Sequence, residues 1–452
     1  MSKQKSMNHG NYMKLGNLYI KHHGPDDPPY QVDMSKYSRP SLMPPGPGGP
    51  GGPGGPGGGM FNRENPANMK GVRDEPGFKH LDYAFDYAAG LHNHGEYSWK
   101  SQGTGFMIGV GNLWRLGRWD HAKEGYSLED TTNIVKKVAK FYGASASGVA
   151  MVDERWFFQK EMLRPRPKIP NPLEGPGKMP DPAKMKRDMK PIDIVFSDDT
   201  EEPSKLKDGK KIIPRSMKYL VVMALEMDGD AYSTETSALS MAASLNGYSR
   251  MWFVATTLAE FIRALGYRAI PMGNDTAVTQ PMAIDAGLGE PSRSGLLITP
   301  RYGPRVRLCK VLTDMPLIPD RPISFGVTEF CNICGKCADH CPSGSIPRLE
   351  IPRSYDAPKS GNGGVLKWAV NGKSCQEFWM RNGSECHTCI RVCPFTKPDG
   401  WLHYITRALV GFGSESLDKL LLLGDDLAGY GKKEGIDPRK FWNMDNYIHV
   451  KE

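Results

Sequence analysis

Residues 331–342 read CNICGKCADHCP, and residues 375–394 read CQEFWMRNGSECHTCIRVCP. The first stretch is C-x2-C-x2-C-x3-C-P, formed by Cys331, Cys334, Cys337 and Cys341 before Pro342. The second repeats C-x2-C-x3-C-P at Cys386, Cys389 and Cys393 before Pro394, with Cys375 set well upstream. Three thiolates on a tight loop cap three irons of one cubane, and the fourth, followed by proline, reaches toward a second cubane. Crossing the fourth ligands gives Cys331, Cys334, Cys337 and Cys393 for one [4Fe–4S] cluster. Cys375, Cys386, Cys389 and Cys341 then hold the other. Structural zinc favours separated C-x2-C pairs and does not fit this pattern.

Working outward, eight of the nine cysteines lie in these stretches and Cys309 stands apart, expected to be a buried, inert thiol. A disulfide scaffold would spread its cysteines through a small domain. The chain has 452 residues, 39% of them hydrophobic, which suits two or three domains or one large core with insertions. Its net charge of +8 is mild and forms no dense Lys/Arg stripe, so no nucleic-acid partner is expected. No apolar run reaches the roughly 18 residues of a membrane-spanning helix. The opening MSKQKSMNHGNYMKLG has neither a hydrophobic signal core nor a twin-arginine pair. The chain as given is expected to be soluble, or to have lost a leader.

Residues 1–60 read as an irregular arm, with the low-complexity segment PPGPGGPGGPGGPGGG at Pro44–Gly59. Residues 61–130 form an aromatic-rich unit; Phe78, Tyr83, Phe85, Tyr87, Trp99, Phe106, Trp114 and Trp119 either line a pocket or pack a core. In TNIVKKVAKFY, Ile134, Val135, Val138 and Phe141 recur at helical spacing, which predicts a helix over Thr132–Tyr142 stopped by Gly143. A strand is predicted over Ser147–Asp153. The Pro-rich, charged residues 163–212 read as a surface insertion. A buried strand follows within Ser216–Asp228, then a helix over Tyr248–Leu265 closed by Gly266, then a strand over Tyr267–Pro271. This order predicts an α/β core, of α/β or α+β type, over 131–320. The two-cluster segment occupies 321–400, and 401–452 form a C-terminal extension. No G-x-G-x-x-G after a strand, no P-loop and no D-x-H-x-x-G corrinoid motif occurs.

Residues 247–317, GYSRMWFVATTLAEFIRALGYRAIPMGNDTAVTQPMAIDAGLGEPSRSGLLITPRYGPRVRLCKVLTDMPL, resemble the corrinoid-dependent reductive dehalogenases. So do FGVTEFCNICGKCADHCP and the split second cysteine set. The resemblance runs over roughly 130–400. It implies a nitroreductase-like core, interrupted by the insertion, that holds a corrinoid base-off, and a bacterial ferredoxin-like domain with two [4Fe–4S] clusters. Carried over by motif, Tyr248 in GYSRM resembles the proton donor. Asn274 in MGNDT resembles its polar neighbour at the substrate. Arg307 in GPRVRL resembles the cation that stabilises the tyrosinate, where some members appear with Lys. Without the resemblance, Tyr248 reads as an aromatic near a helix start, Arg307 as a surface strand residue and Asn274 as a turn signal. Gly287, Gly289 and Gly295 are expected where backbone approaches something closely: either the corrinoid or a tight turn. Trp379, beside a cluster ligand, and Trp252 are candidates for the substrate pocket. His340 and His387 are expected to be solvated or to support ligands, without binding metal.

The resemblance implies two-electron hydrogenolysis, R–X + 2 e⁻ + H⁺ → R–H + X⁻, with electrons passing through both clusters to the corrinoid. The expected substrate is a small halogenated organic compound, with chloroalkanes such as chloroform or trichloroethane ahead of chloroethenes. Implied partners are a low-potential electron donor, a small membrane-anchor protein and a second copy of the chain. The implied location is the outer face of the cytoplasmic membrane after export, with the cytoplasm as alternative. The rival readings are an epoxyqueuosine reductase-like enzyme, which would dock tRNA, and an electron-transfer subunit without catalysis.

Overall fold

The computed structural model describes residues 12–15, 18–24, 27–37, 75–78, 126–163, 190–205, 210–348, 351–354, 363–396, 401–430 and 435–443. The Pro44–Gly59 segment, the aromatics from Tyr83 to Trp119 and the middle of the expected insertion lie outside them.

The core is a four-stranded sheet of β1 (Ala146–Met151), β2 (Tyr219–Glu226), β3 (Ala269–Met272) and β4 (Val306–Thr313). Its order is β1-β2-β4-β3, and every pairing is antiparallel. The molecule is therefore mixed α and β with an antiparallel central sheet. In β2 six consecutive residues, Leu220–Leu225, are buried, because both faces of the strand are covered. Val221, Met223 and Leu225 pack with α1 (Leu128–Phe141) and α2 (Ala238–Ala264). Leu220, Val222 and Ala224 face the opposite way, toward α3 (Thr279–Asp285), Trp156 and Phe157. The alternation follows from the two-residue period of a strand.

Helix α1 starts at Leu128, four residues before Thr132, behind the Ser127 cap, whose side chain accepts from the Asp130 N–H. Phe141, expected on its buried face, is 83% exposed. Helix α2 begins ten residues before the predicted start, at the Ser237 cap. Its first turns, ALSMAASL, are buried all round, so they carry no amphipathic period to read. Tyr248 consequently sits mid-helix, away from the helix start where it was expected.

Two further expectations change. The arm is not irregular throughout: Tyr12–Leu15 and Leu18–His22 pair as a hairpin, whose second strand also pairs with Ile323–Ser324. Farther along, Tyr30 donates to Asp285 at 2.7 Å and Val32 bridges to Val365. The described ends of the insertion form a sheet of Lys160–Leu163, Lys190–Ser197, Lys211–Pro214 and Ser204–Lys205. Its Ile192, Ile194, Phe196 and Ile213 are buried, and three of them join the main core, so this part is no surface excursion.

The cysteine-bearing region is helical: α4 (Val327–Cys334), α5 (Gly372–Asn382), α6 (Thr388–Arg391), α7 (Trp401–Val410) and α8 (Glu415–Leu427). Phe325, Phe330 and Phe395 form its apolar centre with Val410 and Ile20. No helix among the described residues is long and apolar enough to cross a membrane.

Candidate active site

Three separate elements converge on one phenol oxygen. Tyr248 stands on α2, Arg307 on β4 and Asn274 on the loop leaving β3. Asn274 Nδ2 and Arg307 Nη1 each donate to Tyr248 Oη at 3.1 Å. The Arg307 guanidinium also lies over the Tyr248 ring, 4.5 Å from its centroid. An oxygen with one charged and one neutral donor is equipped to hold negative charge after giving up its proton. Asn274 is exposed, so the phenol is reachable from that side.

Arg307 is itself held from behind. Its Nη2 meets Ser244 Oγ, one helical turn before Tyr248. The same nitrogen is 3.5 Å from Glu385 Oε2. His387 Nε2 lies 2.7 Å from Ser244 Oγ and 3.5 Å from Glu385 Oε2. Burial alone would raise the Glu385 carboxyl, but the hydrogen bond to His387 and the Arg307 charge outweigh it and hold the group below its ordinary range. Gly247 is required here, since a Cβ would stand 2.7 Å from Arg307 Cγ. The loop carrying Asn274 is tied down by Lys310, three residues after Arg307 on β4. Lys310 is wholly buried, and its Nζ donates to Gly273 O, Ala277 O and Thr279 Oγ1 at 2.5, 2.9 and 2.8 Å.

The sequence reading had Tyr248, Arg307 and Asn274, and the structure brings all three together. It missed Ser244, Gly247, Glu385 and Lys310, and it gave His387 no partner. Lys310 left a signal: one lysine inside the apolar run LCKVL. Glu385 left none beyond its place before Cys386.

Trp252 lies one turn after Tyr248 on α2, and Trp379 one turn after Cys375 on α5. Both indole N–H groups, and Arg307 Nε, are buried with no hydrogen-bond partner among the described residues. The glycines have reasons within the chain. A Cβ on Gly287 would stand 2.5 Å from Arg321 O, and one on Gly289 would stand 2.1 Å from Ile298 O. Gly295 has φ +73° and would meet Val370. The close approach at these glycines is thus to the protein's own chain.

The cysteines fall into two neighbourhoods. Cys331, Cys334, Cys337, Cys389 and Cys393 line one cavity with Arg293 and Phe395. The turn between Cys334 and Cys337 depends on Gly335 at φ +64°. Burial raises the thiols of Cys331 and Cys337, and pushes Cys334 up to about 11; Cys331 is raised further by Cys334 and Cys393 beside it. In the second neighbourhood burial, then Cys386 and Cys341, push Cys375 up to about 12. Cys389 is raised well above its ordinary value by burial, with Cys386, Cys337, Cys375 and Cys341 contributing. At Cys341 burial is outweighed by hydrogen bonds, including one from the Ser345 N–H at 3.3 Å, and the thiol is lowered. Crowded thiols that resist ionising alone become thiolates when iron displaces their protons. Among the described residues no three His, Cys, Asp or Glu crowd around a single ion. Cys309 is fully buried and pushed up to about 12 by burial.

The family described as reductive dehalogenase subunit matches residues 64–317. Tetrachloroethene reductive dehalogenases of Desulfitobacterium hafniense and Sulfurospirillum multivorans are 36% and 37% identical over 323 and 310 residues. These alignments cover 69% and 68% of this chain and 55% and 58% of the relatives, so the chain spans little more than half their length. Among solved structures, the catabolic reductive dehalogenase NpRdhA superposes with a TM-score of 0.61 at 20% identity, over 92% of this chain and 49% of that one. That likeness is one of fold. With the family matching more than half of its residues, this chain belongs to the reductive dehalogenases.

Proposed function

We propose that the chain catalyses two-electron hydrogenolysis of a small chlorinated aliphatic compound, with Tyr248 as proton donor. The observation that carries this reading is the pair of hydrogen bonds on Tyr248 Oη from Arg307 and Asn274. A corrinoid held base-off in a nitroreductase-like core would supply the reduction of the carbon–halogen bond. The reading draws support from a reductive dehalogenase structure described in terms of B12-dependent dehalogenation. Electrons would come from two [4Fe–4S] clusters in a ferredoxin-like domain over 321–400. Their ligands are Cys331, Cys334, Cys337 and Cys393 for one, and Cys375, Cys386, Cys389 and Cys341 for the other; that Cys393 lines the same cavity as Cys331, Cys334 and Cys337, together with Cys389, supports the crossing.

The chain's own residues then have defined work. Tyr248 delivers the proton to the carbon that loses halide. Arg307, turned by Ser244 and Glu385, stabilises the phenolate left behind. Asn274 orients the phenol toward the reacting carbon. Trp252 and Trp379 give the pocket an apolar wall, which selects small apolar halides. Two relatives named for tetrachloroethene favour a chloroethene and give no support to the preference for chloroform or trichloroethane. We retain both classes of substrate. A low-potential donor, a small membrane anchor, a homodimer and a site on the outer face of the cytoplasmic membrane belong to the same proposal.

The test is anaerobic reconstitution of the full chain with iron, sulfide and a corrinoid, then chloride release from tetrachloroethene and chloroform with reduced methyl viologen. Chloride from either substrate, lost in Tyr248→Phe, is the expected result. No chloride from any halide, with cobalt and iron bound, overturns the proposal.

A further inference from the structure

The loop between β3 and α3, residues 273–278, is built under strain. Thr276 has φ +67°, and among the described residues it is the only one other than glycine with positive φ. The Ala277 N–H donates to Asp275 O at 2.7 Å and closes a three-residue turn over Thr276. Of the two hands such a turn can take, the one with positive φ is strained, and a β-branched residue suits it least. Thr276 is 0% exposed; its carbonyl accepts from the Phe158 N–H at 2.9 Å, and its hydroxyl donates to Asp275 Oδ2 at 3.1 Å. A link that only had to join a strand to a helix would place glycine or asparagine at such a position.

The neighbours of Thr276 are held inward too. Asp275 is buried, and its Oδ1 accepts from the Gly273 N–H at 2.7 Å. Ala277 bridges to Phe157, and the Val278 N–H donates to Trp156 O at 2.9 Å. The Lys310 ammonium gathers Gly273 O and Ala277 O. Of residues 273–278 Asn274 alone is exposed, and it is the one whose Nδ2 donates to Tyr248 Oη at 3.1 Å. Backbone strain persists only where its surroundings over-determine it, and it gathers where a group must be held in one pose. The group so presented here is Asn274.

We infer that Thr276 is a positioning residue for the reaction: the turn it forms, gripped by Asp275 and Lys310, fixes Asn274 against the Tyr248 phenol. The inference rests on the proposed role of Tyr248 as proton donor. Thr276 acts through Asn274. In a loop free to leave the strained turn, Asn274 would swing, and the phenol would spend part of its time with one donor in place of two. That loosens the orientation of the proton donor, so it slows turnover and leaves substrate binding as it was.

The experiment measures kcat and KM for chloride release from tetrachloroethene in the reconstituted full chain, and hydrogen exchange across 273–278, for wild type, Thr276→Gly, Thr276→Ser and Asn274→Ala. Glycine takes positive φ without strain and removes the hydroxyl and branched carbon that restrict the turn. In Thr276→Gly exchange across 273–278 speeds up, kcat falls by roughly 10–100-fold and KM holds. Thr276→Ser keeps the hydroxyl and returns most of the kcat. Adding Thr276→Gly to Asn274→Ala lowers kcat no further, because the group being positioned is already gone; a merely structural role would lower it equally in both backgrounds. Should Thr276→Gly not fold, Thr276→Ala carries the same cycle. Equal exchange in wild type and Thr276→Gly overturns this inference alone. So does an unchanged kcat, a change confined to KM, or losses that multiply in the double variant. Wild-type protein that releases no chloride overturns the proposed function, and this inference with it.

Discussion

The Tyr248 site and the cysteine lobe solve opposite electrostatic problems. At Tyr248, full charges are assembled by hydrogen bonding: Arg307 is clamped between Ser244, Glu385 and the phenol, and each group is held by another. In the cysteine lobe, burial pushes most thiols up, so the protein alone does not favour their charged form. One region is organised by its own side chains. The other, on the two-cluster proposal, would have its thiols settled by added iron. The first should therefore keep its geometry in the apoprotein, while the second should change markedly when iron binds. Glu385 and His387 join the two, since they flank Cys386 and touch the Arg307 network.

The largest break in that comparison is expected from Cys389→Ala. Cys389 reaches the wall of the first cavity and lies among the cysteines of the second set. Its loss should cost a whole cluster, read as about half the iron of the wild type after reconstitution, and abolish chloride release. Full iron content in this variant would show that Cys389 is not a cluster ligand. Next comes Tyr248→Phe, which removes the proton donor and leaves the Arg307 clamp from Ser244 and Glu385. A drop of roughly 10²–10⁴-fold in chloride release is expected, with iron content unchanged. A drop below tenfold would show that the proton comes from elsewhere.

The same contrast explains what the sequence disclosed. The cysteine motif is legible because its geometry is local: Cys331, Cys334 and Cys337 lie within two turns of chain, and their spacing alone proposes a cluster. The Tyr248 site is dispersed, with Arg307 59 residues away and Asn274 26 away. Only the resemblance singled these residues out, because nothing in the spacing of GYSRM, MGNDT and GPRVRL makes them meet. Ser244 was hidden for a further reason. It lies in the uniformly buried start of α2, where no amphipathic period marks a helix. The N-terminal hairpin was missed because its second strand is anchored by pairing with Ile323–Ser324, a contact no local pattern announces.

A smaller effect sharpens the account of how the dispersed site is held. Lys310→Met keeps the length of the side chain but removes its donors from Gly273 O, Ala277 O and Thr279 Oγ1. Leaving buried acceptors unmet costs about 1–3 kcal/mol, so a lower unfolding midpoint is expected. Because Asn274 lies within that loop, activity should also fall, by less than in Tyr248→Phe. Iron uptake should be normal, as the loop is not part of the cysteine lobe. Loss of iron in Lys310→Met would show the two regions to be more tightly coupled than Glu385 and His387 alone allow.

The smallest effect lies where the lobe joins the core. Glu290 is 1% exposed and accepts from the backbone N–H groups of Phe325 and Val327, at the start of the helix that carries Cys331 and Cys334. Burial pushes its carboxyl up from 4.5 to about 7. Between those values the folded chain binds a proton that the unfolded chain has released. Stability from this group is therefore fully present below about 4.5 and is lost as pH rises toward 7, with no further change above. In Glu290→Gln the amide can still accept from both N–H groups and does not titrate. The stability difference between wild type and variant should then shift steadily from pH 5 to about 7, against the wild type, and flatten beyond, as read from denaturant midpoints. A parallel pair of curves would mean that Glu290 ionises freely in place, and that the helix bearing the first ligands is anchored by its apolar contacts alone.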